Sequence, residues 1–293
     1  MNWAVFCIFY IWTVTHAYSF SKITYPLSPE PIDVIIPCST KDKETIDLCI
    51  QSTRKYVKNI RRIIVISKEP LTHLAEWFDE KNYPFSKEIV ALELFDQREE
   101  DAVKFLKSPA SRIGWIYQQF LKLYAPFIIP EISSNVLAVD ADVIWLKPIE
   151  VMTEQGEPLF ATGTEYHPPY FDHISRLLEG LKRVYPEHSG VVHHMLFQKP
   201  ILEDLLQMIQ FQHNMEPWKA ICHCIDHQDL YFSSFSEYEI YFNFALLRTE
   251  QAHLRPIRWG NCDIFEAAEQ YKKRGYVYVA CHDWRRKRSN NQK

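Results

Sequence analysis

From residue 32 onward, short continuous apolar runs alternate with longer segments whose apolar positions recur at helical spacing. The run Ile32-Asp33-Val34-Ile35-Ile36-Pro37 has the length and β-branched content of a buried strand stopped by proline. A polar loop, Ser39-Thr40-Lys41-Asp42, separates it from a helical segment over 43–57, and Arg62-Ile63-Ile64-Val65-Ile66-Ser67 reads as a second buried strand. Strand, helix and strand in that order predict a βαβ unit. The same reading predicts a helix over 71–78 and a strand over 88–95, so the first hundred residues alternate as a parallel α/β sheet should. Ligands of such sheets bind beyond the carboxyl ends of the strands, which puts Asp42 in the loop where a nucleotide would sit.

Over 111–127 the apolar residues Ile113, Ile116, Tyr117, Phe120, Leu121 and Tyr124 form one helical arc. Arg112, Trp115, Gln119 and Lys122, with Gln118 beside them, fall on the other. A solvated face is the plain reading of that second arc, but a Trp among Arg, two Gln and Lys suits the wall of a ligand cleft better than bulk water. Next, the apolar strand Asn135-Val136-Leu137-Ala138-Val139 runs straight into Asp140-Ala141-Asp142 and resumes as Val143-Ile144-Trp145-Leu146 before Lys147-Pro148. Clear strands are then scarce until Tyr276-Val277-Tyr278-Val279-Ala280. The tail from Arg285 to Lys293 is basic and polar, the pattern of a frayed end.

Composition narrows the chemistry. With 47% apolar and 24% charged residues, the chain can bury one large core and carries no signature of disorder. Seven glycines make neither a G-x-G-x-x-G nor a Walker-type loop, so a nucleotide phosphate must be held some other way. A net charge of −4 gives no general attraction to nucleic acid. Residues 1–17 are almost wholly apolar from Trp3 to Val14 and end in Thr15-His16-Ala17, which reads as a secretory signal; an uncleaved anchor or a buried segment are the alternatives. Localisation stays open, as does peripheral association with a membrane. Without Cys7 six cysteines remain, an even number that permits disulfides without showing them. Cys222-His223-Cys224 with His227 fits no paired zinc spacing, and ordinary partly buried thiols are the plainer reading.

Along an extended strand, residues i and i+2 project to one side, so Asp140 and Asp142 are expected to present their carboxylates together. Two such charges repel, and burying them unpaired is costly. Mn²⁺ or Mg²⁺ shared with substrate phosphates resolves the conflict and also replaces the missing glycine-rich loop. A surface turn is the bland alternative, which the apolar flanks argue against.

The helix Arg112-x-Gly114-Trp115-x-x-Gln118-Gln119-x-x-Lys122, the segment Val139-Asp140-Ala141-Asp142, His167-Pro168-Pro169-Tyr170, His193-His194-Met195-Leu196-Phe197 and Ser236-Glu237-Tyr238-Glu239 together resemble little-characterised, glycosyltransferase-like proteins with the GT-A fold. The resemblance covers most of the chain from Ile32. It implies an α/β fold, GT-A-like, with a Rossmann-like, mixed and mostly parallel sheet flanked by helices; residues 32–150 would form the nucleotide half and 151–284 the acceptor half. It further implies an Asp-x-Asp motif for metal and nucleotide sugar, with Asp140 near the ribose or metal and Asp142 on the metal. A late histidine often completes the metal shell in related enzymes, which nominates His282, with His253 second.

Ser236-x-x-Glu239 is also a capping box, which leaves Glu237 as the candidate base for an acceptor hydroxyl if the transfer inverts. His193 and His194 are candidates for the diphosphate or acceptor, although adjacent residues point different ways and at most one is expected in the site. Tyr166, Tyr170 and Trp218 could stack on sugar rings, against core packing as the common fate of aromatics. The resulting expectation is sugar transfer from a nucleotide-sugar donor to a glycan, lipid or protein acceptor. The rivals are a haloacid-dehalogenase-like phosphatase, whose later acidic motif is missing after Gly260, and a non-catalytic glycan-binding protein of the same fold.

Overall fold

A computed structural model of the chain describes residues 20–263 and 267–282. The apolar segment 1–17 and the tail 285–293 lie outside the described residues. In chain order the elements are β1 (Ile32–Pro37), α1 (Ile46–Tyr56), β2 (Ile60–Ser67), β3 (Glu76–Asp79), α2 (Lys87–Leu94), α3 (Glu99–Lys107), α4 (Ile113–Ile128), β4 (Asn135–Val139), β5 (Val143–Trp145) and β6 (Leu159–Phe160). They continue with α5 (Pro168–Leu177), β7 (His194–Gln198), α6 (Lys199–His213), α7 (Pro217–His223), α8 (Glu237–Arg248), β8 (His253–Leu254), β9 (Trp259–Asn261), α9 (Ala268–Lys273) and β10 (Tyr278–Ala280).

The central sheet has the order β3-β2-β1-β4-β7, parallel throughout except for β7, which runs antiparallel to β4. All six residues of β1 and all five of β4 are buried, as expected of strands covered on both faces. Alternate side chains serve opposite layers. Ile35, Val136 and Ala138 join the large cluster built with α2, α4, α6, α7 and α8, whereas Ile32, Val34, Ile36, Leu137 and Val139 pack toward α1, β5 and β10. The fold is therefore a mixed α/β arrangement with a mostly parallel central sheet flanked by helices. A second sheet, β5-β10-β9, sits beyond the end of β4, and Cys262 and Cys281, which follow β9 and β10, form a disulfide. The other described cysteines, Cys38, Cys49, Cys222 and Cys224, are buried free thiols.

Two expected elements are corrected. Segment 71–78 is not a helix: Glu76–Asp79 instead pairs parallel with β2 as the sheet's edge strand, with Trp77 exposed. Segment 88–95 is not a strand: residues 88–94 lie in α2 and Phe95 caps its end, while Ser86 Oγ accepts the Ile89 N–H as an N-cap and Val90, Ala91 and Leu94 turn inward. A short apolar run fits either period, and here the cap decides it.

Candidate functional site

β4 ends at Val139, and the chain reverses in a turn closed by the Val143 N–H donating to the Asp140 carbonyl at 3.1 Å. The expectation that both aspartates lie on an extended strand is thus corrected: they occupy a tight turn that hands the chain from the central sheet to β5. The turn is anchored at both ends, with Asp140 N–H donating to the His193 carbonyl at 2.9 Å and Asp142 carbonyl accepting Cys281 N–H at 2.9 Å. Both carboxylates nevertheless line one cavity of about 350 Å³ at the carboxyl end of the sheet.

The two acids have different partners. Lys122, carried inward by the polar arc of α4 and only 4% exposed, places its ammonium 2.6 Å from Asp140 Oδ1, 2.8 Å from Glu237 Oε1 and 3.0 Å from Tyr238 Oη. His193 Nδ1 lies 3.1 Å from Asp140 Oδ2. Burial opposes ionisation of Asp140, but Lys122 and His193 outweigh it and hold this carboxyl well below the usual carboxylate range. Burial likewise opposes the charge on Lys122, yet Asp140 and Glu237 keep it protonated far above its ordinary value. Glu237 is raised by burial even with Lys122 beside it. Asp142 Oδ2, in contrast, is met by His282 Nδ1 at 2.9 Å, while Asp142 Oδ1 is buried and has no hydrogen-bond partner among the described residues.

Around this centre the cavity wall gathers Asp42, Arg112, Trp115, Gln118, Gln119 and Tyr170. Asp42 is buried, and its carboxyl is raised by burial and by the proximity of Asp142. The Arg112 guanidinium lies 5.0 Å over the Trp115 ring, and its buried Nε has no partner among the described residues. Trp115 and Tyr170 lie nearly parallel, 16° between planes. Gln119 Oε1 accepts the Glu237 N–H and so ties α4 to the start of α8. Gln118 donates to the Pro37 carbonyl at the end of β1. A second chamber of about 330 Å³ adjoins the first, with Lys41, Asp42, Arg112, Trp115 and Gln118 common to both walls.

Of the residues singled out in the sequence, His194 is one of several that the structure takes away from the cavity. It packs edge-on against Trp145 and Tyr278 in the interior, where burial lowers it to about 3. Its neighbour His193 enters, with φ of +64°, a left-handed conformation that costs an ordinary residue about 1 kcal/mol. Glu239 also leaves the site. Its N–H is capped by Ser236, and its carboxylate accepts from Ser189 and Asn243. Trp218 is core, Tyr166 is exposed outside the cavity, and His253 pairs with Glu157. His223, of the rejected zinc pattern, pairs with Glu93. Tyr238, within reach of both Lys122 and Asp140, is a contributor that sequence spacing alone did not single out.

Among the described residues, no three His, Cys, Asp or Glu side chains converge to hold a metal ion unaided. A cation shared with ligand phosphates needs only one or two carboxylates, and the unpartnered Asp142 Oδ1 with His282 alongside fits that donor set. Asp140 fits less well, since both its oxygens are already engaged. Among the described residues no helix is long and apolar enough to cross a membrane. The chain matches a family of unknown function (DUF6492) over residues 30–271 and belongs to that family. Comparison with curated proteins finds no match.

Proposed function

We propose that this chain is a metal-dependent glycosyltransferase of GT-A-like fold, moving a sugar from a nucleotide diphosphate donor to a hydroxyl acceptor. The observation that carries the reading is the buried Asp142 Oδ1, unpartnered among the described residues, in the wall of a two-chambered cavity at the carboxyl end of the sheet. An anionic oxygen left without a donor costs a few kcal/mol or more, so its retention points to a cationic guest. Mn²⁺ or Mg²⁺ held by Asp142, with His282 beside it, would neutralise charge building on the departing diphosphate.

The remaining work falls to the chain itself. Lys122 holds Asp140 and Glu237 together, and Asp140 in turn orients His193. The unpartnered Arg112 Nε offers a donor to a phosphate oxygen, and the Trp115–Tyr170 pair offers ring faces to a base or sugar. Glu237, with its proton affinity raised by burial, takes the acceptor proton if the transfer inverts. The test is hydrolysis of a panel of UDP-, GDP- and CMP-sugars with and without Mn²⁺. At least one should be turned over only with the metal, and Asp142→Ala should abolish that turnover. No turnover and no binding of any member would favour the non-catalytic glycan-binding reading, and a phosphoenzyme would favour the phosphatase.

A further inference from the structure

At the far end of β5 from Asp142, Arg255 follows β8 with its backbone fixed by an N–H bond to the Phe160 carbonyl at 2.7 Å. The side chain is half-buried, and its Nε and Nη2 are buried with no hydrogen-bond partner among the described residues. No ion pair joins it to Glu150, the acid whose charge it feels most. Burial accordingly lowers the proton affinity of this guanidinium, acting against a charge it cannot shed at neutral pH. Two unanswered N–H groups on a permanent cation are expensive in a finished core, and arginine's fork is shaped for paired oxygens. Arg255 lines a separate cavity of about 220 Å³, together with Lys58, Pro148, the exposed Glu150 and the apolar side chains of Ile149, Ile257 and Val277.

We infer that this cavity is a binding site for a small oxyanion, a phosphoryl or carboxylate group, held by the Arg255 fork with Lys58 as second cation. Arg255 supplies the paired donors and Lys58 adds long-range attraction, while the Glu150 carboxylate, exposed to water at the rim, is the one charge in the lining that opposes an anion. The site lies at the opposite end of β5 and β10 from the Asp142 turn: Asp142 and His282 flank these strands at one end, Pro148 and Val277 at this one. It does not rest on the sugar-transfer reading, and neither result bears on the other.

The full chain is titrated with inorganic phosphate and, in parallel, with acetate, at ionic strength held constant by chloride, reading thermal unfolding and heat of binding. The expected result is a saturable rise in the unfolding midpoint with at least one of the two anions, the stronger identifying the phosphoryl or carboxylate preference. Arg255→Met should abolish it. Arg255→Lys, which keeps the charge and folds without the apolar replacement, should weaken affinity at least about tenfold by losing the bidentate geometry. The inference is overturned if neither anion has a saturable effect, if Arg255→Met responds like the parent, which would place the anion elsewhere on the chain, or if Arg255→Lys binds as tightly as the parent.

Discussion

Asp33 and Asp142 are both acids placed at the ends of neighbouring parallel strands, yet the protein treats them in opposite ways. Asp33, fully buried at the entry end of β1, receives N–H bonds from Arg61 at 2.8 Å, Arg62 at 3.1 Å and the Ser133 backbone at 2.9 Å. Burial works against its charge, but these donors, Arg61 first, hold the carboxyl below the usual range. Among the described residues Asp142, just past the exit end of β4, receives one bond from His282 and leaves an oxygen unanswered beside a cavity. Where the chain closes the donor set around an acid, the acid serves the fold. Where the described residues leave the set open, the acid is available to a cation, as proposed above. Asp140 stands between these cases, saturated by Lys122 and His193 but exposed to the same cavity.

Breaking each arrangement separately sharpens the contrast. The largest loss of stability is expected from Lys122→Met, which strands Asp140 and Glu237 as buried, uncompensated acids; denaturant unfolding should show a loss of about 3–5 kcal/mol. Adding Glu237→Gln should recover part of it, and a loss below about 1 kcal/mol would remove Lys122 as the organiser of the site. Asp33→Ala is expected to cost less, about 2–3 kcal/mol, because Arg61 and Arg62 are partly exposed and their released charges reach water. Nucleotide binding should survive that substitution, and its loss would contradict the division between fold acid and site acid.

Smaller effects come from the buried histidines. Burial lowers His173 from 6.5 to about 4, so above pH 6.5 it is neutral in both folded and unfolded chains. As pH falls from 6.5 toward 4 the unfolded chain is protonated first, and stability falls by about 1.4 kcal/mol per pH unit before levelling below the folded value. His194, lowered to about 3, adds a similar slope. His173→Gln should remove about half of the decline seen between pH 6.5 and 5, and an unchanged slope would count against its burial as a neutral base. The smallest change in stability is expected for Asp142→Asn, within about 1 kcal/mol or slightly stabilising, since it removes an unanswered anionic oxygen. A large loss there would mean that Asp142 belongs to the fold after all.

Much of the frame was legible because its signals are local. Continuous β-branched runs marked β1, β2 and β4, and the two arcs of α4 separated the core side, Ile116 and Phe120, from the cavity side, Trp115 and Lys122. Segments 71–78 and 88–95 mislead because their apolar residues satisfy both periods, and their conformations depend on an edge pairing with β2 and a cap at Ser86. Asp140 and Asp142 were recognisable from an acidic pair set in apolar sequence, but the turn between them was not, since it depends on partners at His193 and Cys281. Nor could spacing show that Lys122 answers Glu237, 115 residues away, or that His193 rather than His194 enters the site. Those are products of strand order and of the antiparallel pairing of β7.

The most direct test of the account is the metal dependence of nucleotide binding at Asp142. UDP, GDP and CDP are titrated into the parent chain and into Asp142→Asn, each with and without Mn²⁺, with folding verified by the unfolding midpoint. The account predicts that one of these diphosphates binds the parent only when Mn²⁺ is present, and that Asp142→Asn keeps its fold while losing this binding. Binding that is indifferent to both the metal and the substitution would contradict it.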